Sequence, residues 1–324
     1  MPAILEIVLG MALLLGGGEA LVRGAVAIAR RLGLSPLIIG LTLVGYGTST
    51  PELVASLEAA LSGVPDIALG NVVGSNIANV LLILGLAVLL SPVRIEPTSF
   101  RRDAVALSVS ALAAAGLAWT GEVGRLAGLV LVGLVVLYTV QTYRAETAKP
   151  DEWGAILAAE SELKETARPL DVRLAILLAL GGIVATVVGA GLLIDGAVTV
   201  ARGLGVSELV IGLTLVAVGT SLPELATALV AAWRGHAELA YGNVVGSNIY
   251  NVLGILGVTA LVSPLPVPPG LLAFDLPVML AVTAALILFA LTGWRIGRRE
   301  GATLLAGYLV YLWMLFGGGG LPFG

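Results

Sequence analysis

GNVVGSNI at residues 70–77 returns letter for letter at residues 242–249. The match extends well beyond these eight letters. At the same shift of 172 residues, GLTLV at 40–44 meets GLTLV at 212–216, and SP at 91–92 meets SP at 263–264, without a gap. Between these anchors the copies read GYGTSTPELVAS and AVGTSLPELATA, then GNVVGSNIANVLLILG and GNVVGSNIYNVLGILG. The chain is an internal duplication, with repeats at about 35–92 and 207–264.

The surroundings of the repeat are apolar. Of 324 residues, 58% are apolar and 12% charged, and the mean hydropathy is +1.03, far outside the range of soluble domains. Runs near the ~20 residues that cross a bilayer as helix fall at 3–28, 35–61, 66–90, 103–120 and 124–143, then at 173–200, 206–232, 238–262, 273–293 and 302–317. They are too long for barrel strands and lack the alternation. The expected fold is an all-α polytopic membrane protein of ten transmembrane helices. Five spans separate equivalent points of the copies; five is odd, so the second copy crosses in the opposite sense, giving two inverted five-helix repeats. Basic residues set the orientation. With the N-terminus outside, fifteen of the seventeen Lys and Arg face the cytoplasm, among them Arg30, Arg31, Arg101, Arg102, Arg298 and Arg299, and only Arg125 and Arg202 face out. Both termini are then outside.

The halves are residues 1–143 and 173–324, joined by a polar cytoplasmic linker at 144–172 with one short surface helix expected near 152–165. No basic residue precedes the first apolar run, so it is read as a span and not a leader. A net charge of −4 argues against nucleic acid, and a chain without Cys has neither disulfides nor thiolate metal sites.

The repeated polar residues need a reason to be in a membrane. Thr48 and Ser49 lie four and three residues before Glu52, which on a helix puts all three near one face, and Thr220, Ser221 and Glu224 repeat the arrangement. An ionised carboxylate near the bilayer centre costs at least ~2.5–3.5 kcal/mol, so two at matched depth call for a partner. The adjacent core spans offer no Lys or Arg; a cation that comes and goes fits. Pro51 and Pro223 release the helical carbonyls of Gly47 and Gly219, which suits a polar cavity. Asn71, Ser75 and Asn79 form a stripe at intervals of four, as do Asn243, Ser247 and Asn251. Gly70 and Gly74, like Gly242 and Gly246, offer a small-residue surface for close helix contact. Carboxylates, hydroxyls, amides and freed carbonyls are all oxygen ligands, the choice of hard cations such as Ca²⁺ and Na⁺. Zinc or copper would call for His or Cys, and the chain has one His.

At these motifs the sequence resembles the cation/Ca²⁺ exchanger superfamily, specifically its prokaryotic Na⁺/Ca²⁺ exchangers. GTSTPE at 47–52 with GNVVGSNIAN at 70–79, and GTSLPE at 219–224 with GNVVGSNIYN at 242–251, look like that family's two alpha repeats. The resemblance implies that Glu52 and Glu224 hold Ca²⁺ and share Na⁺, helped by backbone oxygens of Thr48 and Thr220. It assigns the remaining ion contacts to side chains of Thr48, Ser49, Ser75, Thr220, Ser221 and Ser247, to carbonyls near Gly45 and Ala217, and to Asn79 and Asn251. It also implies that spans 1 and 6 slide across the other eight. Asn251 stands where many relatives have Asp, a residue linked to K⁺ in the K⁺-dependent branch, so the chain is expected to be K⁺-independent.

The expected function is antiport of Na⁺ against Ca²⁺ by alternating access at the cell membrane, electrogenic if more than two Na⁺ move per Ca²⁺. The ions are substrates; no prosthetic group, nucleic acid or obligatory protein partner is expected, only the bilayer. A H⁺/Ca²⁺ exchanger using the same glutamates is the nearest alternative, and a selective channel is a further one. Neither a Walker sequence nor HExxH is present, so the chain is not read as an enzyme. Asn71, Asn243, Asn76 and Asn248 are read as interhelical glue, and Glu58, Asp66, Asp195, Glu238 and Asp275 as groups at span ends that meet water. Glu19, inside the first span, has no evident role.

Overall fold

The structure, a computed structural model, describes residues 2–147, 170–204 and 219–317. The helix expected near 152–165, the second GLTLV and Ala217 lie outside the described residues. The first half contains α1 (Ala3–Leu32), a bent pair α2 (Pro36–Thr48) and α3 (Thr50–Leu61), α4 (Pro65–Leu90), α5 (Pro97–Trp119) and α6 (Arg125–Thr147). The second contains α7 (Val172–Gly203), α8 (Leu222–Trp233), α9 (Ala237–Val262), α10 (Leu271–Leu291) and α11 (Arg298–Gly317). Among the described residues six helices are long and apolar enough to cross a membrane, or seven if the bent pair counts as one span. Helices also occupy other expected spans, but α5 and α11 carry charged groups near their starts, Arg101 to Asp103 and Arg298 to Glu300, and α8 has only 12 residues.

Contacts group the chain into two units, each drawing on both sequence copies: Met1–Thr48 with Leu137–Asn243, and Ser49–Val136 with Val244–Gly324. In the first unit α1 and α7 run antiparallel with their backbones touching. Glycines seven residues apart make the seam, Gly10, Gly17 and Gly24 on one helix and Gly182, Gly189 and Gly196 on the other. A Cβ on Gly10 would stand 2.6 Å from Leu193 N, and one on Gly182 2.5 Å from Leu21 N. A seven-residue row stays close to one helical face. In lipid, where apolar burial does not drive helices together, close backbone approach supplies the contact. The far faces, with Ile4, Val8 and Met11 on α1 and Leu177, Leu180 and Val184 on α7, are exposed apolar surface suited to lipid. In the same unit Gly242 abuts α2: a Cβ there would run into the carbonyl oxygen of Leu37. The small-residue contact expected of the octapeptides is thus present at Gly242, whereas nothing described lies within 4 Å of a Cβ on Gly70 or Gly74.

In the second unit the copies are tied by two antiparallel strand pairs. β1 (Val93–Arg94) pairs with β4 (Arg295–Ile296), and β2 (Glu122–Val123) with β3 (Leu265–Pro266). Each joins one copy to the other. Backbone contacts exchange in the same way: a Cβ on Gly85 would lie 3.2 Å from Gly301 O, and one on Gly128 2.6 Å from Gly257 O. Contacts that recur with the copies interchanged are the mark of a pseudo-two-fold axis. Beside β1, Glu96 caps α5, its carboxylate accepting from the amides of Thr98 at 3.0 Å and Ser99 at 2.6 Å. Burial would raise its pKa, but these bonds hold the group down at about 2.

Candidate functional site

Proline places the glutamates. Helix α2 ends at Thr48 and α3 starts at Thr50 after a 41° bend, with Pro51 in the first turn, where its missing N–H is tolerated. Pro223 does the same in α8. The stretch that carries Thr48, Ser49 and Glu52 is therefore interrupted rather than one unbroken helix. Thr48 closes α2, Ser49 precedes α3, and Glu52 lies in its first turn; Ser221 and Glu224 hold matching stations in α8. Ser-x-x-Glu is the pattern of a capping box, yet neither serine side chain caps its helix. Ser49 Oγ instead donates to Ser247 Oγ at 3.0 Å. Glu52 is 2% exposed and Glu224 1%, each at a helix start whose dipole favours negative charge.

Each glutamate's backbone is held by an octapeptide asparagine. Asn71 Nδ2 donates to Glu52 O at 3.1 Å, and Asn243 Nδ2 to Glu224 O at 3.3 Å. These matched bonds are the interhelical glue expected of both asparagines. Asn71 also donates to Ser56 Oγ at 2.9 Å. Ser56, fully buried, is not among the sequence candidates; its signal is a hydroxyl one turn after Glu52.

Oxygens converge at two further places. Around Thr48 Oγ1 lie Val44 O at 3.0 Å, Gly45 O at 3.4 Å and Asn243 Oδ1 at 3.3 Å. One hydroxyl proton cannot serve three acceptors, and such a cluster is what a hard cation collects. The π turn Gly40–Val44 precedes it, an irregularity that often marks functional positions. At the second place, Asn79 Nδ2 donates to Asn248 Oδ1 at 3.0 Å. Asn79 Oδ1 and both polar atoms of Asn251 have no hydrogen-bond partner among the described residues, although both side chains are only 1% exposed. A buried polar group left so is costly, which fits ligands kept for a guest. Ser75, Ser221 and Ser247 are also buried and Thr220 half-buried.

Three other acidic groups, Glu19, Asp103 and Asp275, are already engaged. Arg234 grips Glu19 with two bonds, Nη2 to Oε1 at 2.6 Å and Nε to Oε2 at 2.8 Å, and Arg23 bonds it as well. Asp103 is buried but receives Arg102 Nε at 2.8 Å. Asp275, expected in water at a span end, is half-buried and accepts from the Tyr311 hydroxyl at 3.0 Å. Among the described residues no three His, Cys, Asp or Glu cluster.

Apolar spanning helices with a duplicated, buried set of carboxylates, hydroxyls and amides define a polytopic membrane protein built to hold polar cargo. The sequence profile of the sodium/calcium exchanger protein family matches residues 2–144 and 174–317, and the chain belongs to that family. It is 37% identical to the sodium/calcium exchanger MaX1 of Methanosarcina acetivorans, over 96% of this chain and 98% of that one. It is 27% identical to the Ca²⁺/H⁺ antiporter ChaA of Bacillus subtilis, over 85% and 82%. Its fold is similar to solved structures of the sodium-calcium exchanger NCX_Mj; one has a TM-score of 0.82 at 33% identity, covering 96% of this chain and 97% of the other.

Proposed function

We propose that this chain is a secondary antiporter that exchanges Na⁺ for Ca²⁺ across the cell membrane by alternating access. Its ten helices would form two inverted five-helix repeats with both termini outside. The observation that carries the reading is the matched burial of Glu52 and Glu224, each in the first turn of a helix that begins with proline and each with its carbonyl bonded to an octapeptide asparagine. Thr48, Ser49, Ser75, Asn79, Thr220, Ser221, Ser247, Asn251 and the carbonyls of Gly45 and Ala217 supply neutral oxygens. In charge, two ionised glutamates balance one Ca²⁺ or two Na⁺; a third Na⁺ leaves net positive charge on the carrier, so exchange at more than two Na⁺ per Ca²⁺ moves current. Asn251 in place of Asp supports independence from K⁺.

A second reading, H⁺ in place of Na⁺, is supported by the likeness to the Bacillus antiporter. Uptake of ⁴⁵Ca²⁺ into proteoliposomes loaded with Na⁺ and diluted into Na⁺-free buffer separates the two. Uptake on the Na⁺ gradient, lost in Glu52→Gln and Glu224→Gln, is the expected result. Uptake only on an imposed pH gradient would assign the coupling ion to the proton.

A further inference from the structure

From Gly70 to Gly85 and from Gly242 to Gly257 the two copies differ at two positions only: Ala78 and Leu82 in the first, Tyr250 and Gly254 in the second. The two differences are one change in space. Residues four apart lie on one helical face, and a Cβ on Gly254 would lie 2.5 Å from both Cδ2 and Cε2 of Tyr250. The ring occupies the place that a leucine at 254 would fill.

Beside this pair the asparagines shared by the copies diverge. Both begin a π turn, Asn79–Leu84 and Asn251–Leu256, and both are 1% exposed. Asn79 is anchored by its bond to Asn248 Oδ1, and Asn248 Nδ2 in turn donates to Asn76 O at 3.2 Å. The mirrored bond, from Asn251 to Asn76, is missing. Asn76 directs its Nδ2 to Val72 O at 2.7 Å instead, and neither polar atom of Asn251 has a partner among the described residues. A buried amide without partners persists only where its backbone is kept from bringing it to one. Within this stretch the sole sequence difference available to do so is the ring seated over Gly254.

We propose that Tyr250 and Gly254 form a positioning pair that fixes the turn carrying Asn251 and keeps its amide out of the asparagine network. Asn79 then presents an oxygen fixed by protein, and Asn251 one that adjusts to the ion. The inference rests on the exchanger reading. Ca²⁺, which gathers about six to eight oxygens in flexible geometry, gains most from an adjustable ligand.

The test is the double exchange Tyr250→Ala/Gly254→Leu, which writes the first copy's pair into the second and so restores matched packing. In ⁴⁵Ca²⁺ uptake by proteoliposomes, half-saturating Ca²⁺ should rise about tenfold while the maximal rate stays within about twofold. Tyr250→Ala alone adds no bulk beside Gly254 and should raise half-saturation in the same way; it decides the matter if the double variant does not fold. Unchanged half-saturation, or a fallen maximal rate at unchanged half-saturation, overturns the proposal. The unsubstituted protein is measured alongside on Na⁺ and on pH gradients. If only the pH gradient drives it, Na⁺ coupling fails while the half-saturation comparison, run on that gradient, still tests the pair.

Discussion

Helices α1 and α7 meet through rows of glycine and leave most of their apolar surface exposed, whereas α4 and α9 are enclosed and carry serine and asparagine. Only 28% of the most apolar stretch of either α1 or α7 is buried, against 72% for α4 and 83% for α9. The two pairs solve different problems. A helix facing lipid must satisfy its backbone internally and can join a neighbour only by approaching closely. A helix enclosed by protein can carry polar side chains, because neighbours or cargo bond them. Polar groups therefore concentrate in the enclosed helices, and the seven-residue glycine rows in the exposed pair.

The contrast breaks most sharply at the glutamates. Glu52→Gln and Glu224→Gln should each lower Ca²⁺ uptake by about a hundredfold, through loss of a charged ligand, with thermal unfolding in detergent little changed. If either variant transports normally, the buried glutamates of α3 and α8, which the asparagines of α4 and α9 hold by their carbonyls, are not where cargo binds. At the exposed pair, Gly182→Leu forces a side chain into the backbone of α1 and should destabilise by about 3 kcal/mol. Gly16→Leu, with nothing within 4 Å of its Cβ position among the described residues, should stay within about 0.5 kcal/mol of the parent. Equal losses would show that the seam is not specific.

Within the enclosed pair, Asn79→Ala strips Asn248 Oδ1 of its donor and should cost about 1–3 kcal/mol in chemical or thermal unfolding. Asn251→Ala removes an amide with no described partner and should cost less than about 1 kcal/mol, while Ca²⁺ uptake falls in both. The smallest effect lies at the α5 cap. Glu96→Ala should cost about 1 kcal/mol. Because the folded-state pKa is depressed to about 2, that stability is present at neutral pH and is lost as pH falls from the unfolded value through about 2. A parent and variant that unfold alike at pH 7 would refute the cap.

Much of this was legible in the sequence, for reasons that differ by residue. The octapeptide announced the duplication, and Pro51 and Pro223 announced the helix starts, because proline fits the first turn of a helix and not its interior. The rows at Gly10, Gly17 and Gly24 and at Gly182, Gly189 and Gly196 were written plainly, yet a row declares a contact only once its partner is known. The π turns at Asn79 and Asn251 have no residue signature that separates them from α-helix. Glu19 and Arg234 are 215 residues apart, and their pairing depends on tertiary packing. The strands are two residues long, too short for any alternation to show.

Those strands carry a consequence of their own. Each pair borrows one edge from each copy, so a single copy severed from the other would hold two unmatched edges and no clasp. Two such fragments related by a two-fold would complete both clasps at once, as a self-complementary contact does in an isologous dimer. In the single chain, four residues from each copy close both clasps without a second molecule, so the chain is fastened to itself.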